Sequence, residues 1–238
     1  IALKDLYDTK DIRTTASSRV MADRVPSEDA TTTARLEAAG SILLGKLAMH
    51  EFALGGPDPT CGFPLARNPW NLAHIPGGSS SGSGSAVAAG LCMGSLGSCT
   101  GGSIRGPAAF CSLVGLKPTY GRISRYGLVA FASSLDNIGI FGLTSLDAAA
   151  VLNVIAGRDE LDSTSADVPV PDYEATINDE IKGKTIGVPR DLFGEGLDDE
   201  VRNAVEKSID NFRSLGANVV DVEIPYAKYG IAVYYIIA

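Results

Sequence analysis

The chain has 238 residues, 45% of them hydrophobic and 20% charged, with a net charge of −8 and an isoelectric point near 4.8. This composition predicts one large globular domain or two small ones and excludes a disordered chain, which needs fewer apolar residues. The negative charge argues against direct nucleic-acid binding, because phosphate contacts need clustered Lys and Arg. The sequence contains no run of 18 or more apolar residues, which a transmembrane helix would need. We therefore expect no membrane partner.

No segment has the pattern of a signal peptide, and the first residue is Ile1 instead of Met. We therefore expect a fragment or a processed product with a cytoplasmic location. The four cysteines form neither a CxxC pair nor a Cys/His zinc spacing, and they are Cys61, Cys92, Cys99 and Cys111. We therefore predict that all four cysteines are free thiols in a reducing compartment. We also expect no metal site and no cofactor.

Short apolar runs alternate with helical periods along the chain, which is typical of an α/β domain. Glycines follow several of the helical segments, as is common at helix ends. In chain order we predict a helix at Thr31–Ala39, a strand at Ile42–Leu44, a buried helix at Ala86–Leu91, a helix at Leu146–Ala156 with Thr144 or Ser145 as N-cap, a strand at Thr185–Val188, a helix at Asp199–Leu215 and a strand at Val219–Ile224.

The last two strands and the helix between them predict a parallel βαβ unit over Lys184–Ile224. Apolar residues of the helix recur every three or four positions and predict one buried face, formed by Val201, Val205, Ile209, Phe212 and Leu215. The polar segment Asp159–Asp179 is predicted to be a long surface connection. We expect it to join two parts of one sheet domain, and a domain boundary is the alternative.

The segment Pro76–Ala108 is unusually rich in Gly and Ser. It lacks the Lys of a phosphate-binding loop and the third glycine of a dinucleotide fingerprint, so both nucleotide interpretations are weak. Ser80 lies at the centre of a G-x-S-x-G pattern, but that hydrolase fold needs a His after the serine, and the two histidines, His50 and His74, come before it. We expect both histidines to be structural or surface residues.

A serine nucleophile without a histidine base can use a neutral lysine. A free lysine has a pKa near 10.4, and burial lowers it. Lys4 is a candidate, because the apolar residues at positions 1–3 predict that it ends a buried strand. These residues alone leave a flexible linker, a nucleotide loop and a hydrolase site all open.

The motifs GGSSSGSGSA and TGGSIRGPA, together with an early Lys-Asp pair, resemble the amidase signature family. The resemblance extends over the whole chain and is strongest to the family's glutaminase subunits of tRNA-dependent amidotransferases. The segments that support this branch are Gly45–Gly55, Gly115–Gly139, Asp162–Ser165 and Lys228–Ala238.

The resemblance implies a Ser–cis-Ser–Lys triad in which Ser103 is the nucleophile, Ser79 the bridging serine and Lys4 the base. It implies an oxyanion hole formed by backbone N–H groups, those of Thr100, Gly101, Gly102 and Ser103. The remaining serines of the segment are expected in structural roles, namely Ser80, Ser81, Ser83 and Ser85. Arg105 is expected to brace the loop through salt bridges, and Lys46 to be structural or at the surface.

The resemblance also implies an α/β/α layered fold with a central mixed sheet. By this resemblance we expect residues 1–238 to correspond to a truncated amidase domain, without the family's N-terminal helical region and C-terminal half. Cys99 stands where the family usually has Asp, and Gly106 where this branch usually has Gln. Sheet edges left uncovered by truncation predict pairing between copies, so a homodimer is one expectation.

Three functions remain as hypotheses. The first is a glutaminase subunit that acts with amidotransferase partner subunits. The second is a stand-alone amidase on small aliphatic or aryl amides, and the third is a non-catalytic fragment that serves as an interaction module. In each enzymatic case the direct partner is a small-molecule amide.

Overall fold

The computed structural model describes all residues from Ile1 to Ala238, and the chain divides into two compact units, Ile1–Ile177 (unit 1) and Asn178–Ala238 (unit 2). Unit 1 contains five strands and four α-helices. They are β1 (Ala2–Lys4), α1 (Thr31–Ala38), β2 (Lys46–Leu47), α2 (Ser81–Ala88), β3 (Gly94–Cys99), α3 (Arg105–Phe110), β4 (Val114–Leu116), β5 (Asn137–Gly142) and α4 (Ser145–Ile155).

The five strands form one mixed sheet in the order β2-β1-β3-β5-β4. Strand β1 pairs in parallel with both β2 and β3, whereas β5 is antiparallel to β3 and β4. This arrangement confirms the expected α/β class with a central mixed sheet.

Side chains alternate between the two faces of this sheet, as the strand period of two requires. On β1 and β5 the neighbours Ala2 and Leu3, and likewise Phe141 and Ile140, belong to two different hydrophobic clusters. One cluster includes apolar residues of α1 and α4, and the other includes residues of α2 and α3. The helices therefore cover both faces of the sheet, which is the α/β/α layering.

Local signals position several of the helices. Thr144 caps α4 by accepting from the backbone N–H of Asp147, whose carboxylate accepts in turn from the backbone N–H of Thr144. Helix α2 starts at Ser81, earlier than the predicted Ala86, and ends before Gly90, which has a φ of +70°. The strand predicted at Ile42–Leu44 is wrong, because the regular ladder with β1 begins only at Lys46, opposite Leu3.

Unit 2 contains β6 (Thr185–Pro189), α5 (Asp199–Ser214), β7 (Asn218–Val222) and α6 (Gly230–Ile237). Strands β6 and β7 are parallel, which confirms the predicted βαβ unit. They form a separate two-stranded sheet, so the expectation that the segment Asp159–Asp179 joins two parts of one sheet is wrong.

The predicted buried face of α5 is also corrected. Ile209 is buried, but the other members of the face are exposed, namely Val201, Val205, Phe212 and Leu215. A single helix against a two-stranded sheet offers too little apolar surface to enclose the whole face.

Candidate active site

Lys4 is the last residue of β1, and its side chain is fully buried. Its Nζ atom lies 2.8 Å from the Oγ atom of Ser79 and 2.9 Å from the Oγ atom of Ser98. Both serine hydroxyls belong to buried residues. The prediction that Lys4 ends a buried strand is confirmed, and the fold brings Lys4 and Ser79 into direct hydrogen-bonding contact.

Burial lowers the pKa of Lys4 from 10.5 to about 7, because the ammonium loses its hydration in the interior. Cys99 and Asp136 act in the opposite direction, since negative charge at either position favours the protonated amine. A substantial fraction of Lys4 is therefore neutral near pH 7, as a general base requires.

Ser79 lies in the turn before α2, and the peptide bond between Gly78 and Ser79 is cis. A Cβ atom on Gly78 would lie 2.0 Å from Cε1 of His50, so only glycine fits against this ring. The His50 backbone N–H donates to the Ser79 carbonyl, and its Nδ1 atom contacts the Gly55 carbonyl. Burial lowers the His50 pKa. His50 thus shapes the turn, in agreement with its expected structural role.

The other serines of the Gly/Ser segment bond to backbone groups. The Ser80 hydroxyl donates to the Ser98 carbonyl and accepts from the Ser98 N–H, and the Ser83 hydroxyl donates to the Leu96 carbonyl. Ser81 and Ser85 likewise donate to backbone carbonyls. Because these bonds fix α2 to β3 and to neighbouring loops, the expectation of structural roles agrees with the contacts.

Ser103 lies in the loop between β3 and α3 and is half-buried. Its hydroxyl makes no hydrogen bond within the chain, so the structure joins Lys4 to Ser79 but does not join Ser79 to Ser103. The backbone N–H groups of residues 100–103 also donate to no group of the chain. A row of free amides in one loop is able to hold a developing oxyanion.

Asp136 was not identified from the sequence. Its buried carboxylate accepts from the Thr100 hydroxyl at 2.5 Å and from the backbone N–H groups of Phe131 and Ala132 at 2.8 and 3.0 Å. Asp136 therefore ties the loop after β3 to the segment before β5. The sequence held no motif for this role, because Thr100 and Asp136 meet only through the pairing of β3 with β5.

Three further residues that the sequence singled out lie around the loop, namely Cys99, Arg105 and Gly106. Cys99 is fully buried among apolar side chains and forms no disulfide, and all four cysteines are free. Arg105 is exposed and forms no salt bridge, so the expectation that it braces the loop through ion pairs is wrong. A Cβ atom on Gly106 would meet no other atom within 4 Å, so the missing Gln side chain leaves open space.

Lys46 has the structural role that was expected. Its Nζ atom donates to the Tyr7 carbonyl and to the Thr14 hydroxyl, and it lies 3.3 Å from the Asp5 carboxylate. No group of three or more His, Cys, Asp or Glu side chains is arranged to bind a metal ion. None of the helices has both the length and the apolar character needed to cross a membrane.

Similar proteins place this geometry in a family. The sequence model of the family described as Amidase matches residues 1–238. The A subunit of glutamyl-tRNA(Gln) amidotransferase from Roseiflexus sp. (strain RS-1) is 52% identical over 238 residues, and the same subunit from Moorella thermoacetica is 53% identical. Both alignments cover 100% of this chain and 49% of the relative. The chain thus spans about half the length of these curated relatives.

Solved structures give the same result. The A subunit of the Thermotoga maritima glutamyl-tRNA(Gln) amidotransferase has a TM-score of 0.95 at 43% identity, over 100% of this chain and 52% of that one. The native peptide amidase of Stenotrophomonas maltophilia has a TM-score of 0.85 at 36% identity, over 98% and 49% of the two chains. The chain therefore belongs to the amidase family.

Proposed function

We propose that this chain carries the catalytic centre of a serine-dependent amide hydrolase, with Ser103 as nucleophile, Ser79 as proton relay and Lys4 as base. The observation that supports this most directly is the buried Lys4 amine, which lies 2.8 Å from the Ser79 hydroxyl. Burial lowers the Lys4 pKa to about 7, so the amine accepts a proton at neutral pH.

In the first step, neutral Lys4 takes the proton of the Ser79 hydroxyl while Ser79 takes that of Ser103. The Ser103 oxygen bonds to the carbonyl carbon of the amide, and the resulting oxyanion is held by the free N–H groups of residues 100–103. Collapse of this intermediate breaks the C–N bond, and the leaving nitrogen receives the proton back along the relay. Water then attacks the acyl-serine, assisted by the same groups, and releases the acid.

The Ser103 hydroxyl is free to turn towards Ser79 because it has no other partner in the chain. Catalytic hydrogen bonds are often incomplete without substrate and tighten when it binds. The bond between Thr100 and Asp136 holds the start of the loop during this adjustment.

For the complete enzyme we propose release of ammonia from glutamine as the A subunit of a glutamyl-tRNA(Gln) amidotransferase, together with partner subunits. The identities of 52% and 53% to subunits of that name support this assignment. Hydrolysis of simple amides without a partner is the second candidate, and the similarity to a peptide amidase favours it. A non-catalytic interaction module and a homodimer stay predictions.

The test measures ammonia release from glutamine, with and without partner subunits, and hydrolysis of acetamide and an anilide. We expect Ser103→Ala to lower the rate by at least about 1,000-fold, because the covalent route is lost. Ser85→Ala is the matched control, since its hydroxyl donates to the Arg67 carbonyl and contacts none of the three proposed catalytic residues. Full activity of Ser103→Ala would refute the assignment, and no hydrolysis by the unaltered chain would favour the interaction module.

A further inference from the structure

The Lys4 amine has two hydrogen-bonding partners, and only Ser79 belongs to the proposed relay. The second partner is the Ser98 hydroxyl on β3, 2.9 Å from Nζ. Ser98 is itself buried, with 3% of its surface exposed. A buried hydroxyl that faces the catalytic amine therefore needs its own explanation.

Two hydroxyl partners suit the neutral amine. A neutral lysine amine has two N–H groups and one lone pair, whereas the ammonium has three N–H groups and no lone pair. In the neutral amine, one N–H reaches Ser98 while the lone pair is free to face Ser79.

We propose that Ser98 is a positioning residue that accepts one N–H of neutral Lys4 and so directs the amine lone pair at Ser79. The proposal deepens the proposed function and rests on it, because the orientation matters only if Lys4 acts as the base. Without Ser98, rotation about the bond from Cε to Nζ would turn the lone pair away from Ser79 for part of the time.

The backbone holds Ser98 in the place that this role requires. The Ser80 hydroxyl donates to the Ser98 carbonyl at 3.1 Å and accepts from the Ser98 N–H at 3.3 Å. Because Ser80 directly follows Ser79, one turn fixes both the relay serine and the strand that carries Ser98. The Tyr7 hydroxyl donates to the Gly97 carbonyl at 2.6 Å and attaches the same strand to the segment after β1.

The first experiment compares Ser98→Ala with Ser95→Ala. Ser95 is a matched control, because it is a buried serine of the same strand whose hydroxyl donates to the Ser83 carbonyl at 3.0 Å and not to Lys4. We expect kcat to fall about 100-fold in Ser98→Ala with little change in KM, since small errors of orientation have effects of this size. Ser95→Ala should stay within a few-fold of the unaltered chain, and Ser98→Thr, which keeps the hydroxyl, should recover most of the rate.

The second experiment does not require the chain to hydrolyse an amide. The titration of the Lys4 side chain is followed by NMR of its ¹³Cε signal in the unaltered chain and in both alanine variants. The Ser98 oxygen stabilises the ammonium, so its removal should lower the midpoint by about one pH unit, whereas Ser95→Ala should not change it. Cys99, Asp136 and His50, the other titratable groups that interact with Lys4, are the same in all three chains.

The two readouts separate the two proposals. If the unaltered chain hydrolyses no amide, the proposed function fails, while the NMR comparison still decides whether Ser98 interacts with the amine. An unchanged midpoint in Ser98→Ala, or an equal loss of kcat in both alanine variants, would overturn the role of Ser98.

Discussion

The two units of the chain differ in what they bury. Unit 1 buries two hydrophobic clusters and also a row of polar side chains, Lys4 and several serines among them. In unit 2 the buried hydrophobic residues are Val188, Ile209 and Ala217. Unit 2 nevertheless contains α5, whose apolar residues recur regularly every three or four positions. A regular hydrophobic pattern in the sequence therefore does not by itself mean that the residues are buried.

Geometry explains the difference. The five-stranded sheet of unit 1 has helices on both faces, so apolar side chains on either face are enclosed. The sheet of unit 2 has two strands, and its β7 residues Val220 and Val222 stay 44% and 38% exposed. A hydrophobic stripe shows which face of an element gains from burial, but a second apolar surface is needed to bury it.

The largest expected effect comes from equal truncations in the two units. Leu96 in β3 is 0% exposed, whereas Leu215 at the end of α5 is 62% exposed. We expect Leu96→Ala to lower the free energy of unfolding by about 2–5 kcal/mol, because it leaves a cavity. Leu215→Ala should change it by less than about 1 kcal/mol.

The free energy of unfolding of Leu96→Ala is measured by urea unfolding. Fluorescence of the single tryptophan, Trp70, follows this transition, because Trp70 lies in unit 1. For Leu215→Ala, urea unfolding is followed by circular dichroism, which reports on the helices of both units. Equal losses in the two variants would contradict the difference in burial between the units.

Glycines in the two sheets give the next comparison. A Cβ atom on Gly97 would lie 2.7 Å from the Ser80 Oγ atom, 2.8 Å from the Phe141 ring and 2.9 Å from the Ile104 Cδ1 atom. Three buried groups would have to move together, so we expect Gly97→Ala to cost about 1–3 kcal/mol. It should also disturb the bond from Ser80 to Ser98.

Gly187 in β6 is the control for this substitution. Its added Cβ atom would meet the Val222 Cγ1 atom at 2.9 Å, and that side chain is partly exposed and able to rotate. We therefore expect a smaller change in the midpoint of thermal unfolding for Gly187→Ala than for Gly97→Ala. The reverse order would mean that unit 2 is the more tightly packed of the two.

The last expected effect is gradual, a slope with pH whose size per pH unit is the smallest of the three. Because folding lowers the Lys4 pKa from 10.5 to about 7, the unfolded chain binds more protons between these two values. The free energy of unfolding contributed by Lys4 therefore rises with pH across this window, by at most about 1.4 kcal/mol per pH unit, and is lost again as pH falls to 7. Lys4→Met should remove this slope.

The measurement is the difference between the two chains in urea unfolding from pH 7 to 10. Burial raises the pKa of Tyr7, Cys92 and Cys111, and these groups oppose the slope at the alkaline end in both chains. Taking the difference removes their contribution. Parallel stability curves would show that Lys4 keeps an ordinary pKa in the folded chain.

Local signals predicted much of the fold. The cap residues and the period of the apolar positions predicted α4 and α5 to within a residue or two, because these signals act within a few residues along the chain. The resemblance of the Gly/Ser motifs pointed to Lys4 and Ser79, which the structure brings into contact. Ser103 remains a prediction, since no hydrogen bond joins it to Ser79.

By itself, the sequence determined the α/β class, the βαβ unit and the family, because periodicity and short motifs are properties of neighbouring residues. Only the tertiary structure decided which elements share a sheet and how much of α5 is covered. It also revealed Ser98 and Asp136, whose partners Lys4 and Thr100 lie 94 and 36 positions away in sequence. Contacts of that separation depend on strand order and register, which no local pattern encodes.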